Sequence, residues 1–314
     1  MANNLVSANS WHDTVLGAIA PFLSREGLTD LIIGPAGTIW AETATRPGLH
    51  RLSHHSFSEE DCRELAVSLA QSAGTRLDDA HPWADGYLQW DEHVAIRLHA
   101  VLPAIAPHGT TISLRLLRPA QHSLNDLLQR GMVSSAQCAE LVQHLENKHS
   151  ILITGATGSG KTTLLAALLG TLPEKDRIVT IEDTPELAIS HPQLVQLVTR
   201  SANTENRGAL GMDILLRQAL RMRPDRLVVG EVRGIEIVDL LNALNTGHQG
   251  ALASLHANSP SEVPSRIMGL ALPTGLPEAA IRQQMKSGIK VVVHVHRDNV
   301  TGMRKVAAIE EFSC

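Results

Sequence analysis

The sequence predicts an α/β protein built around a phosphate-binding loop, with a smaller α+β domain ahead of it. Three observations predict this. From Ser150 onward, short apolar runs alternate with helical segments, the grammar of a mostly buried sheet flanked by helices. Within that stretch, residues 155–162 read GATGSGKT, a full match to the pattern GxxxxGK[ST]. Before about residue 118 the pattern changes to alternating strands and Gly/Pro turns.

The N-terminal elements follow in order. Val15–Leu23 has helix-like apolar spacing. Leu31-Ile32-Ile33, then Gly34-Pro35-Ala36-Gly37, then Thr38 to Glu42 read as a hairpin. Ser58 caps a helix that runs to about Ala73, with Glu59, Glu60 and Asp61 in a first turn that favours negative charge. Tyr87–Trp90, Val94–Val101 and Thr111–Leu116 read as strands, and Trp83, Tyr87 and Trp90 are expected to pack this domain. A proline at 119 opens a linker over 119–123, which sets the domains at 1–118 and 124–314.

In the second domain, Leu124 to Leu145 forms two short helices broken at Gly131. Strands are expected at Ile151–Thr154, Arg177–Glu182, Leu194–Val198, Leu227–Val229 and Ala251–Leu255. Arg217 and Arg221 are spaced to share a helix face, which suggests a subunit contact. His294 and His296 alternate along a strand whose face is expected to be exposed; as metal ligands they lack a third partner.

Composition narrows the function. A chain of 314 residues with 43% apolar content can build two cored domains. A net charge of −5 and only 3% aromatics disfavour a nucleic-acid platform. Cys62, Cys138 and Cys314 show no CxxC spacing, as expected of free thiols in a reducing compartment. No signal-peptide pattern and no apolar run of membrane-spanning length are read, so the expected location is the cytosol, with any membrane role peripheral.

The loop Gly155-Ala156-Thr157-Gly158-Ser159-Gly160-Lys161-Thr162 carries the chemistry. Its glycines let backbone N–H groups point at phosphate oxygens, Lys161 supplies charge to the β/γ-phosphates, and Thr162 offers a hydroxyl to Mg²⁺. Hydrolysis also needs carboxylates. Two acidic sites stand at strand ends: Glu182, Asp183 and Glu186 after one strand, and Glu231 after another. Among the first set, one acid can serve only to cap or orient a neighbour. His256 also follows an apolar strand, within reach of a γ-phosphate.

Four runs stand in fixed order: GATGSGKTT, TIEDTPEL, LLRQALRMRPDRLVVGEVRG and NTGHQGALASLHANSP. Together they resemble the type II/IV secretion ATPase superfamily, and their wording is most like its Tad/Flp pilus-assembly branch. Conjugal-transfer and type IV secretion ATPases are close relatives. The resemblance implies a RecA-like P-loop NTPase domain that binds ATP and Mg²⁺ through Gly155 to Thr163. It implies Glu186 as general base, Glu182, Asp183 and Glu231 on the metal side with Thr162, and His256 on the γ-phosphate. It implies that Arg97 and Arg115 of the N-terminal domain meet the phosphates, where a guanidinium fork is well suited. It further implies a homohexamer at the inner face of the cytoplasmic membrane that drives a polytopic platform protein. A nucleotide-gated regulator and a nucleic-acid translocase are the competing readings.

Overall fold

The computed structural model describes residues 15–90, 94–117, 122–187, 189–200, 208–298 and 301–314. They fall into two units. The expected linker lies largely outside the described residues.

The first unit holds a short helix α1 (Ala20–Leu23), strands β1 (Leu28–Ile33), β2 (Thr38–Thr43) and β3 (Arg46–Ser56), helix α2 (Glu59–Ser72), then β4 (Trp83–Gln89), β5 (Ala95–Val101) and β6 (Thr111–Leu117). The six strands form an antiparallel sheet in the order β3-β2-β1-β6-β5-β4. Period-two alternation sends Leu31, Ile33, Leu98, Ile112 and Leu114 into the same core as Leu65 and Leu69 of α2. Ser58 and Asp61 form a reciprocal capping box that starts α2 where the sequence predicts it. Two expectations are corrected. Trp83 is 55% exposed and does not pack this core, whereas Trp90 does. The hairpin continues into a third strand, β3, which the sequence reading lacks.

The second unit opens with α3 (Leu124–Gln129) and α4 (Ser135–Glu146), each started by a serine capping box. There follow β7 (Ile151–Thr154), α5 (Lys161–Leu169), β8 (Ile178–Glu182), β9 (Leu194–Val198), α6 (Met212–Ala219), β10 (Arg226–Val232), α7 (Glu236–Asn245) and β11 (Leu252–Leu255). The unit ends with α8 (Val263–Ala271), α9 (Glu278–Gly288), β12 (Val291–Arg297) and β13 (Arg304–Glu311). Seven strands lie in the order β13-β12-β7-β11-β10-β8-β9, all parallel except the β12–β13 pair. β7, β8 and β11 are buried along their whole length, as strands covered on both faces must be.

Two further expectations change. The arginine face on α6 does not persist: the helix ends at Ala219, and Arg221 lies in a 3₁₀ turn. Arg217 is held within the chain by Asp213 and Asp239, at 2.7 and 3.0 Å. His294 is buried rather than exposed, and its Nδ1 lies 3.0 Å from Thr154 Oγ1 on the neighbouring strand. His296, two residues on along the same strand, is exposed.

Candidate active site

The site lies at the carboxyl ends of the central parallel strands. β7 ends at Thr154 and the chain turns through the loop into α5. Gly155 has φ of 150°, and a Cβ there would stand 2.2 Å from the Val295 carbonyl oxygen. Gly160, at φ of 103°, occupies the N-cap position of α5. Only glycine accepts these two positions without strain.

Lys161 is buried, and its Nζ donates to the carbonyl oxygens of Gly155 and Ala156, each at 3.1 Å. Burial lowers its pKa below the ordinary lysine value, and Glu231 opposes that shift. The Ser159 hydroxyl is buried without a hydrogen-bond partner among the described residues. A buried cation, an unpartnered hydroxyl and a helix N-terminus on one glycine-rich loop fit a polyphosphate.

Around Lys161 the neighbouring strands deliver the other groups. Its Nζ is 3.4 Å from both ring nitrogens of His256, which follows β11. His256 Nε2 in turn contacts Glu231 Oε1, on β10. Burial, then the charge of Lys161, lowers the His256 pKa, so the neutral ring is favoured. A neutral ring suits both neighbours, with its proton on Nε2 toward the carboxylate and its Nδ1 lone pair toward the ammonium.

Thr162 Oγ1 donates to Glu186 Oε2 at 3.3 Å. Thr162, Asp183, Glu186 and Glu231 line one small cleft. Among the described residues no three or more His, Cys, Asp or Glu side chains form a metal cage. The donor set of a hydroxyl and nearby carboxylates suits Mg²⁺, which keeps its waters and takes its other ligands from phosphate.

Glu182 has a different part. It is 3% exposed. Its Oε1 accepts from the Glu186 and Leu187 amides at 3.0 and 2.9 Å, and its Oε2 from Gln196 Nε2 at 2.6 Å. Burial raises its pKa against those hydrogen bonds. Both oxygens are engaged in shaping the loop that carries Glu186, so of the two openings left by the sequence the geometry favours orientation of a neighbour.

Four residues escape the sequence reading. Arg233 Nε donates to Glu231 Oε2 at 2.8 Å, and Arg233 Nη1 to Asp183 Oδ2 at 3.2 Å. The signal was present, because Arg233 stands two residues after Glu231 at the end of an extended strand. Gln196 was also visible, as the polar centre of the run LVQLV. Arg266 lines an open cleft of about 420 Å³ with Ala156 and His256. Arg304 Nε donates to the Gly158 carbonyl oxygen at 2.9 Å, from a strand 146 residues away that no local pattern connects to the loop.

In the first unit, Arg97 and Arg115 face each other directly across β5 and β6. Arg115 Nε also donates to Asp30 Oδ1 at 2.9 Å.

Comparisons with known proteins place the chain in a family and a fold. The family model described as "Type II/IV secretion system protein" matches residues 14–306. A Mycobacterium tuberculosis protein provisionally named for conjugal transfer is 47% identical over 298 residues, which cover 94% of this chain and 84% of that one. The type IV secretion system protein PtlH homolog of Bordetella bronchiseptica is 31% identical over 93% of this chain and 92% of its own. Among solved structures, the pilus retraction motor PilT with bound ADP matches with a TM-score of 0.64 at 20% identity, covering 92% of this chain and 80% of that one. The Legionella pneumophila ATPase DotB has the same TM-score at 19% identity, over 97% of this chain and 81% of its own. These two share the fold: a RecA-like domain preceded by a smaller α+β domain. The matches extend to the superfamily and do not single out its Tad/Flp branch. With the family model spanning nearly all of its length and a 47% identical relative beside it, the chain belongs to the type II/IV secretion system protein family.

Proposed function

We propose that the chain is an ATP-hydrolysing motor of a pilus-assembly or secretion system. The observation that carries this reading is the convergence of Lys161, His256 and Glu231 on one glycine-rich loop, with Thr162 and Glu186 beside it. Kinship with a type IV secretion system protein and membership of the type II/IV secretion family support it.

In this reading the loop amides and Lys161 bind the nucleotide phosphates. Lys161 exchanges its two carbonyl acceptors for phosphate oxygens, a stronger charge-assisted contact. Glu186 accepts the proton of the attacking water, and Glu182 holds the Glu186 amide in place. Glu231 and Thr162 orient the metal side. Bound Mg²⁺ supplies neutralisation of charge on the transferring phosphoryl group. His256 meets the γ-phosphate edge, and Arg97 and Arg115 add positive charge to the same group, as the family resemblance implies. The motor works as a homohexamer on a polytopic platform protein of the inner membrane. The motif wording favours the Tad/Flp pilus branch. The provisional conjugal-transfer name of the 47% identical relative favours a conjugal-transfer or type IV secretion machine instead. Among the described residues no helix is long and apolar enough to cross a membrane.

The test is steady-state ATP hydrolysis by wild type, Glu231→Gln and Glu186→Gln, with nucleotide binding measured in parallel. Magnesium-dependent turnover is expected in the wild type, with a loss of about a hundredfold or more in each variant and binding retained. Wild-type protein that binds ATP and never turns it over, with or without membranes, would sink the motor reading in favour of a nucleotide-gated regulator.

A further inference from the structure

The β12–β13 hairpin brings two arginines to the phosphate loop. Arg297 and Arg304 are direct partners across the two antiparallel strands. Like charges facing each other in this way are unfavourable. Among the described residues neither forms an ion pair with a carboxylate. Both reach the loop. Arg304 Nε donates to Gly158 O at 2.9 Å. A Cβ added at Gly158 would lie 3.5 Å from Arg297 Nη1, and one at Gly160 would lie 3.1 Å from Arg304 Cδ. Arg304 is exposed as a residue, yet the burial of its head group, then the repulsion of Arg297, lowers its pKa below the ordinary arginine value.

A repelling pair of permanent cations held against a loop lacks one thing, an anion. Arginine cannot relieve the repulsion by losing a proton, so the counter-charge must come from outside the pair. In a P-loop the backbone amides cradle the α- and β-phosphates, while the lysine reaches toward the β/γ end. Here the γ end is marked by Lys161 and His256, and the arginines touch the loop at Gly158 and Gly160 instead.

We propose that Arg297 and Arg304 form a subsite for the α,β-diphosphate portion of the bound nucleotide. The proposal rests on reading the loop as an ATP site and adds residues that none of the four sequence signatures contains. Because ADP and ATP share that portion, the subsite grips substrate and product alike. It anchors the nucleotide through the cycle and takes no part in the cleavage step.

The experiment is calorimetric titration of the full chain with ADP and with a non-hydrolysable ATP analogue, for wild type, Arg297→Gln, Arg304→Gln and Arg304→Lys. Arg297→Gln is expected to raise both dissociation constants roughly tenfold and by the same factor, as the loss of a charge-assisted contact implies. In hydrolysis the loss falls on KM rather than on kcat, the signature of uniform binding. Arg304→Lys keeps a charge without the fork and lies between wild type and Arg304→Gln. The melting temperature of Arg297→Gln without nucleotide equals or exceeds that of wild type, since one like-charge contact is removed. A purely structural role would lower it. Unchanged ADP affinity in Arg297→Gln, or a loss confined to the ATP analogue, overturns the proposal. Wild-type protein that binds no ADP overturns the parent reading instead.

Discussion

His294 holds the strand that feeds the phosphate loop. It is buried on β12, and its Nδ1 meets the hydroxyl of Thr154, the residue before Gly155. Burial, then the nearby His296, lowers its pKa, so the folded protein holds it neutral. The sign of the linkage follows. In the unfolded chain a histidine takes up a proton near pH 6.5, at about its ordinary pKa. The folded state resists that uptake, so the stabilising contribution is complete above about pH 6.5 and is lost as pH falls from there through the lower folded value. The melting temperature of wild type should exceed that of His294→Asn at about pH 8, by the equivalent of roughly 1 kcal/mol for a lost buried hydrogen bond. The gap should narrow toward about pH 5.5, and a constant gap would show that His294 titrates alike in both states. At this scale the sequence was readable wherever a residue type has one strong use. Lys161 in its loop and Glu231 at the end of an apolar run could be named from neighbours alone. The part played by Glu182 could not, because it depends on amides that close on the carboxylate only when the loop folds back.

Element by element, legibility follows position in the sheet for most strands, the edge strand β9 being the exception, read at its full extent. The central strands β7, β8 and β11 are buried throughout and mostly apolar, and could be read from composition. The strands missed or misplaced, β3, β4 and β13, are edges of their sheets. Edge strands carry charge and polarity that discourage pairing with other chains, and this erases the apolar signal. The sequences RPGLHRLSHHS and RKVAAIEE show as much. At the start of β10 a buried pair fixes where that element begins. Arg226 is 3% exposed, lies 3.2 Å from Asp176 Oδ2, and donates through Nη2 to the Leu145 carbonyl oxygen at 2.9 Å. It thereby ties β10 to the end of α4. Arg226→Ala leaves Asp176 without its partner and should cost about 3–5 kcal/mol in denaturant unfolding. The double variant Arg226→Met with Asp176→Asn should recover much of that loss, because it removes both charges. Equal losses in the single and the double variant would mean that packing, not charge, holds this corner.

At the scale of the whole molecule, the proposed motor depends on the first unit as well as the second. Arg97→Ala and Arg115→Ala are expected each to lower kcat by about tenfold or more, with ADP binding little changed, as for groups that serve charge developing in the transition state. Unchanged hydrolysis in both variants would remove these arginines from the mechanism. The periodicity of the sequence changes near residue 120, and the described residues fall into two units. The strand order was not legible in the sequence, because it is set by crossovers between segments far apart in the chain. That order has a consequence for how the protein is made. β12 lies beside β7, and Val295 and His294 back Gly155 and Thr154 from 140 residues downstream. A ribosome releases the loop long before it releases its support. Since chains fold from the N-terminus as they emerge, the nascent protein should be unable to grip nucleotide until β12 has emerged to lie beside β7. A chain that grips nucleotide has then already laid β12 beside its phosphate loop.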